Sequence, residues 1–287
     1  MPFFQKQLVT PGQAPLPSPY LSGNPDLVSQ ITQISGTQSG ANQTYNAMQV
    51  SLHKRFSVGI EYQISYTWAH GMSDSIGYYS DSGQSGAQSA YMQNLYDRKS
   101  EWSPQLADVK QNFVASYYYE LPFGKGRKFG TAWAKPVDYV LGGWQMGGSF
   151  TAHTGFPLTI KTTDRSGTLA RSARAQVIGT PHDSHIVGPG NHWLDLSAYA
   201  QPLNFTFGNA GPGVVRGPGA TIFNLSLAKS FPVTEHKRFE IRGEAFNLAN
   251  MPIFNSPISQ TITSGTFGEI STTTGERNMQ IVAKFVF

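Results

Sequence analysis

The chain has 287 residues, of which 13% are charged and another 13% aromatic, and its formal charge at pH 7 is +4. So few charges against so many rings is unusual for a water-soluble chain. The small, scattered positive excess gives nucleic acid no footprint, and a sequence without cysteine holds neither a disulfide framework nor a thiolate metal site. No apolar run reaches the ~18 residues of a membrane helix and no N-terminal signal peptide is visible, so any membrane would have to be met by strands.

Residues 1–43 carry Pro11, Pro15, Pro17, Pro19 and Pro25 and read as a loop-like segment, with a partial strand over Phe3 to Val9 as its one candidate element. From residue 44 to 287 the pattern becomes alternation with a period of two, which a helix does not produce. Met48, Val50, Leu52 and Phe56 share one face, with Gln49, Ser51 and His53 opposite. After the hairpin-length turn Ser57-Val58-Gly59, the clearest segment sets Ile60, Tyr62, Ile64, Tyr66 and Trp68 against Glu61, Gln63, Ser65, Thr67 and Ala69. Phe113, Ala115, Tyr117, Tyr119 and Leu121 follow, although Val114 and Tyr118 fall on their polar side. Trp144, Met146, Gly148, Phe150 and Ala152 then alternate with Gln145, Gly147, Ser149, Thr151 and His153. Near the end come Phe223, Leu225 and Leu227, then Phe239, Ile241, Gly243 and Ala245, and last Met279, Ile281, Ala283, Phe285 and Phe287.

Segments of about ten residues match the ~9–11 that a tilted strand needs to cross a bilayer. A soluble β-sandwich alternates too, but its strands average ~5–6 residues and have no reason to carry aromatics at both ends. The rings of Phe56, Trp68, Tyr117, Tyr119, Trp144 and Phe287 read as interfacial girdles. Glu61, Glu120, Glu240, Arg242, Glu244 and Lys284 read as the lining of a wet interior. Lys54 and Lys229 share the outward register near strand ends, where they can snorkel.

The links run short (57–59), long (74–110), intermediate (122–141), long (155–220), short (232–235) and long (249–276). That is the rhythm of an outer-membrane barrel, with turns in the periplasm and loops outside. If Phe287 lies at the periplasmic rim, every long link falls outside without a parity error. The long links are rich in Gly, Ser, Thr, Asn and Pro, as in Ser80-Asp81-Ser82-Gly83 and Gly208-Asn209-Ala210-Gly211, and are expected to be loops that contact any substrate.

Motifs for chemistry are thin. His182-Asp183-Ser184-His185 sits in a Gly/Pro-bounded loop with no helix to set metal geometry and no third ligand at a telling spacing. Gly124-Lys125-Gly126-Arg127-Lys128 lacks the spacing and following helix of a phosphate loop and reads as a basic turn near lipid headgroups. His70, Asp74 and Asp108 lie where barrel enzymes keep rim residues, yet fit loop roots equally well, and His70 continues the outward register of Tyr66 and Trp68. We therefore expect no enzyme, no catalytic, metal or cofactor-binding residue and no cofactor.

An open sheet in hydrocarbon leaves edge groups unpaired. Either residues 1–43 add an eighth strand to close a small barrel, or the seven segments are the last part of a larger one.

Several phrases bear on that choice. They include Tyr45-Asn46-Ala47-Met48 and the rest of 45–56, Ser65-Tyr66-Thr67-Trp68-Ala69-His70, and Tyr119-Glu120-Leu121-Pro122-Phe123-Gly124. Leu141-Gly142-Gly143-Trp144, Thr154-Gly155-Phe156-Pro157, Gly208-Asn209-Ala210-Gly211, Arg242-Gly243-Glu244-Ala245-Phe246-Asn247-Leu248 and Thr266-Phe267-Gly268 continue the set. As a set they resemble the Oar-like TonB-dependent receptors from about residue 44 onward. The resemblance implies an all-β, antiparallel transmembrane barrel of about 22 strands around a plug, of which this chain would be the C-terminal part, as in a truncated gene model or a fragment of a larger reading frame. It implies import of an unknown small-molecule or polymer substrate at the outer membrane. Outer-membrane lipid, the missing plug and N-terminal strands, and TonB through the missing part would be the partners. The alternative is a small stand-alone barrel with a structural, adhesive or porin-like role.

Overall fold

The computed structural model describes residues 40–75, 92–94, 96–168, 170, 172–181, 186–188, 190–234 and 237–287. The expected partial strand at Phe3 to Val9, the Ser80-Asp81-Ser82-Gly83 stretch and the His182-Asp183-Ser184-His185 motif lie outside them.

Seven long strands carry the fold: β1 (Gln43–Ser57), β2 (Ile60–Ser73), β3 (Gln111–Glu120), β4 (Trp144–His153), β5 (Ala220–Pro232), β6 (Arg238–Phe246) and β7 (Asn278–Val286). Each pairs antiparallel with its sequence neighbours, giving one meandering sheet to which the two-residue strand Ser103–Pro104 adds beside β2. These are the seven segments that the alternation predicts, and seven independent periodicities become a single ladder.

Paired residues share a face, so the register tests the facing assignment. One row runs Leu52, Ile64, Ala115, Phe150 and Phe223, and another runs Tyr119, Met146, Leu227, Gly243 and Ile281. On the opposite face a row runs His53, Gln63, Ser116, Ser149 and Asn224, where the Asn224 amide donates to the Ser149 hydroxyl at 3.0 Å. The charges expected inside meet there too: Glu240 pairs in register with Lys284, Arg242 lies 3.1 Å from Glu244, and Gln280 donates to Glu244. Tyr117 and Gly148 stand opposite each other on the apolar face, and a Cβ on Gly148 would sit 2.7 Å from the Tyr117 hydroxyl. The glycine makes room for the ring to lie across the strand.

Phe56 departs from the expected face. The register slips between Lys54 and Ser57, and the Phe56 ring lies 6.0 Å from Tyr118, which pairs with Glu61 on the polar face. An extra residue in one strand inverts the parity of the positions beyond it, so Phe56 belongs with Glu61 and not with Leu52. The turn after the bulge is Val58-Gly59, both with positive φ (56° and 78°), the conformation that tight two-residue hairpins require. Lys229 also differs from the snorkelling picture. It is buried, donates to the Gly142 carbonyl and lies over the rings of Trp144 and Phe231 at 5.7 and 5.2 Å.

The intermediate link contains a helix, α1 (Lys135–Leu141). The long links contain no α-helix among the described residues, as expected of loops, but they hold most of the hydrophobic core: Leu158, Ile160, Leu194, Phe267 and Ile270 are almost fully buried. They gather beyond one end of the sheet and lean over its polar face, since Ala69 and Ser73 on that face of β2 are buried while Trp68 on the other is 53% exposed.

The two faces predict opposite outcomes for adjacent arginines. Ile64→Arg should cost ~2–4 kcal/mol at bilayer midplane and deplete the folded protein in the outer-membrane fraction, whereas Ser65→Arg should leave that fraction near wild type. Equal yields of the two would reverse the facing assignment.

Candidate functional site

The assembly of long links, hereafter the cap, is where the chain departs most from a plain wall. It is built on charged staples at the strand ends. Asp74, one residue beyond β2, accepts from the Asn42 N–H at 2.7 Å and the Asn42 side chain at 3.0 Å, and pairs with Arg98 at 3.1 Å. Burial opposes its charge, but those hydrogen bonds and the guanidinium prevail and hold the carboxyl below its ordinary value of 3.8. Asp108 is buried, accepts the Gly71 N–H at 2.7 Å and pairs with Arg216, which also donates to the carbonyls of Asp108 and Gly155.

A deeper staple joins links 74–110 and 155–220. Arg174 donates to Glu101 at 2.5 Å with both side chains almost wholly enclosed. Gln93 completes the knot: its N–H donates to Glu101, its side-chain oxygen accepts the Arg174 N–H at 2.7 Å, and its amide donates to the Gly208 carbonyl at 2.9 Å. Backbone bonds bring in the third link, Lys161 to Gln260 at 2.8 Å and Trp193 to Gly268 at 2.7 Å. The described parts of the three long links are thus joined, with the shared core coming from 155–220 and 249–276.

The motif glycines explain why the pieces approach so closely. A Cβ on Gly155 would sit 1.7 Å from the Gly217 carbonyl oxygen, and one on Gly208 would sit 1.9 Å from that of Arg174. Phe267 is buried in the core, and Asn209 accepts the Val177 N–H at 2.6 Å. Asn247, with φ 49°, is buried and holds the carbonyls of Met251 and Gly275 where β6 ends. Several of the phrases that stand out in the sequence therefore fall on contact points of the cap.

Between links 155–220 and 249–276 the cap opens a cleft of about 470 Å³ lined by His192, Leu194, Asp195, Leu196, Ser264 and Phe267. Its walls are mostly apolar with a few polar atoms, and it is half open to solvent. His192 is fixed by the Phe267 carbonyl, and Asp195 accepts from Ser197 N–H and hydroxyl at 2.9 and 2.8 Å. Beneath them Tyr199 is buried, and burial together with Asp195 pushes its hydroxyl up to about 12. The sequence points to this cleft only through Phe267 of the Thr266-Phe267-Gly268 phrase, because its lining comes from two stretches far apart in chain order.

Of the residues with rim-site character, the structure brings together His70 and Asp108, 3.5 Å apart, and leaves Asp74 in its own staple with Arg98. His70 keeps the expected outward register, opposite Asn46. Gly124-Lys125-Gly126-Arg127-Lys128 forms a turn at the opposite end of the sheet, with Arg127 paired to Glu120 at 2.7 Å. Among the described residues no three His, Asp or Glu side chains gather as metal ligands would.

A family model described as outer membrane beta barrel domain matches residues 5–280. No curated protein matches the chain.

Glu101→Ala should leave Arg174 charged and enclosed, at a cost of ~3–5 kcal/mol. Protease added to whole cells should then nick 155–220 far faster than in wild type while the strands stay intact; an unchanged nicking rate would mean the staple does not hold the cap. Acid should act on Asp74. Its lowered carboxyl contributes stability that is fully present above 3.8 and is lost as pH falls through the lower folded value. The hydrogen-exchange protection factor of the Asn42 amide should hold steady down to about that pH and then drop, and Asp74→Asn should abolish the drop.

Proposed function

The chain belongs to the outer membrane beta barrel domain family, and from that premise we propose that it forms the barrel wall and outer loops of a TonB-dependent receptor that binds and imports a substrate. The single observation that carries the reading is the folded cap. A structural wall needs only strands and turns, whereas here links 155–220 and 249–276 share a core, the described part of 74–110 is stapled to them, and the assembly leans over the polar face and opens a cleft. In this reading the short-turn end faces the periplasm, the cap faces outward and captures a small-molecule or polymer substrate, and the polar face lines the passage.

The outer edges of β1 and β7 have no partner among the described residues. Each unpaired edge group in hydrocarbon costs several kcal/mol, which supports further strands of the same receptor on both sides. A plug would occupy the polar interior, and TonB would act through that plug and not through this wall. The role proposed for Asp74, Asp108 and Glu101 in this reading is to staple the cap to the strand ends.

A second reading is a small stand-alone barrel with a structural, adhesive or porin-like role. It draws on the family match, which reaches back to residue 5 and so covers more of the chain than the seven strands.

An immunoblot of native outer membranes with an antibody against 74–110 separates the two. We expect a band far above the 31.3 kDa of this chain; a band at that mass would remove the receptor reading in favour of the second.

A further inference from the structure

The link between β3 and β4 is more elaborate than a connection requires. Val58-Gly59 turns the chain between β1 and β2 in two residues. The 121–143 link instead folds into a defined unit. Gly124 N–H donates to the Phe129 carbonyl at 2.8 Å, Phe129 N–H to that of Pro122 at 2.9 Å, and Gly143 N–H to that of Phe123 at 3.2 Å. The Asp138 side chain on α1 accepts the Lys125 N–H at 2.7 Å. A Cβ on Gly142 would sit 3.0 Å from the Gly124 Cα, so the two arms touch backbone to backbone.

This rigid unit displays apolar side chains. No residue of α1 is buried, and Val137, Tyr139, Val140 and Leu141 are 42%, 57%, 61% and 52% exposed. The surface is continuous with the apolar belt of the wall. The Tyr139 ring lies 5.2 Å from Phe231, which stacks on Phe239 at 6.4 Å, and the Trp144 indole donates to the Val140 carbonyl at 3.0 Å. Beside it stand Lys125, Lys128 and Lys135, none of which has an ion pair among the described residues, while the neighbouring acids are taken: Glu120 by Arg127 and Asp138 by the Lys125 N–H. Exposed aliphatics that extend a lipid-facing belt, ringed by cations without a carboxylate partner, Lys128 lying over the Phe129 ring at 5.4 Å, fit the boundary between acyl chains and anionic headgroups.

We propose that the link 121–143 is an interfacial foot: Val137, Val140 and Leu141 enter the leaflet at the short-turn end, and Lys125, Lys128 and Lys135 bind the phosphates of anionic phospholipids there. The proposal rests on the bilayer orientation of the wall under the receptor reading. The foot fixes the depth and tilt of this part of the wall in the leaflet opposite the cap.

The test uses the whole receptor, in which this segment's lack of cysteine permits single labels once any cysteine elsewhere is replaced, reconstituted in vesicles of phosphatidylcholine with or without phosphatidylglycerol. A fluorophore on Val140→Cys is compared with Ile281→Cys on the belt and Leu203→Cys in the cap, both highly exposed. The Val140 label should be quenched by phosphatidylcholine brominated on its upper acyl chain, as the Ile281 label is, and shielded from iodide relative to Leu203. A Val140 label as open to iodide as Leu203 overturns the foot and assigns its apolar face to a protein partner. An Ile281 label that behaves like Leu203 overturns the bilayer orientation itself, and the foot with it. Brominated phosphatidylglycerol should quench the Val140 label more strongly than brominated phosphatidylcholine, and Lys125→Gln, Lys128→Gln and Lys135→Gln together should remove that preference. A preference unchanged in the triple variant overturns the headgroup assignment.

Discussion

Hydrocarbon offers no water to a free N–H or C=O, so every backbone group of a wall in the bilayer must be satisfied by a neighbouring strand. The rest of this structure depends on that requirement. It makes the strands long, nine to fifteen residues in the seven that carry the sheet, and makes each pair with its sequence neighbour. Because the ladder is continuous, the side chains sort into two faces. The apolar one can only be left exposed where the surroundings are lipid: Met48, Val50, Leu52 and Ile281 are each at least half exposed. In water a belt of that extent would be an aggregation surface; in a bilayer it is the anchoring surface.

The same requirement places the conventional core outside the sheet. Both faces of the wall are already committed, one to lipid and one to a polar interior, so the residues that pack as in a soluble domain are found in the long links. There the chain satisfies backbone polar groups with two-residue strand pairs, such as Pro157–Leu158 with Val215–Arg216, and with carboxylates and guanidinium groups at strand ends. Asp74, Asp108 and the Glu101–Arg174 pair each join segments distant in sequence. A buried pair of this kind is weak evidence for net stability; what it does here is join one particular pair of links.

Much of the wall is legible in the sequence because a period of two is local. Each residue of β2 reveals its face through its immediate neighbours, and the short and long links reveal the topology through parity. Phe56 is misplaced by that same rule: a bulge adds one residue to the count, and nothing in Lys54-Arg55-Phe56-Ser57 announces it. The helix Lys135–Leu141 escapes a periodicity reading because seven residues show barely two turns. Its Pro136 and Asp138 make sense only once Asp138 is seen to accept the Lys125 N–H.

The sequence by itself determined the strand-and-link rhythm, the faces of most strands, the absence of thiol chemistry and the membrane as solvent, because all of these depend on composition and on residues next to each other. Only the tertiary structure decided that the described parts of the long links join in one cap, that Glu101 meets Arg174 across 73 positions, that His192 and Ser264 share a cleft, and that Lys229 lies over two rings. Those contacts depend on which glycines let distant backbones touch and on which carboxylate reaches which guanidinium. Such pairings are set by three-dimensional proximity and leave no periodic trace along the chain.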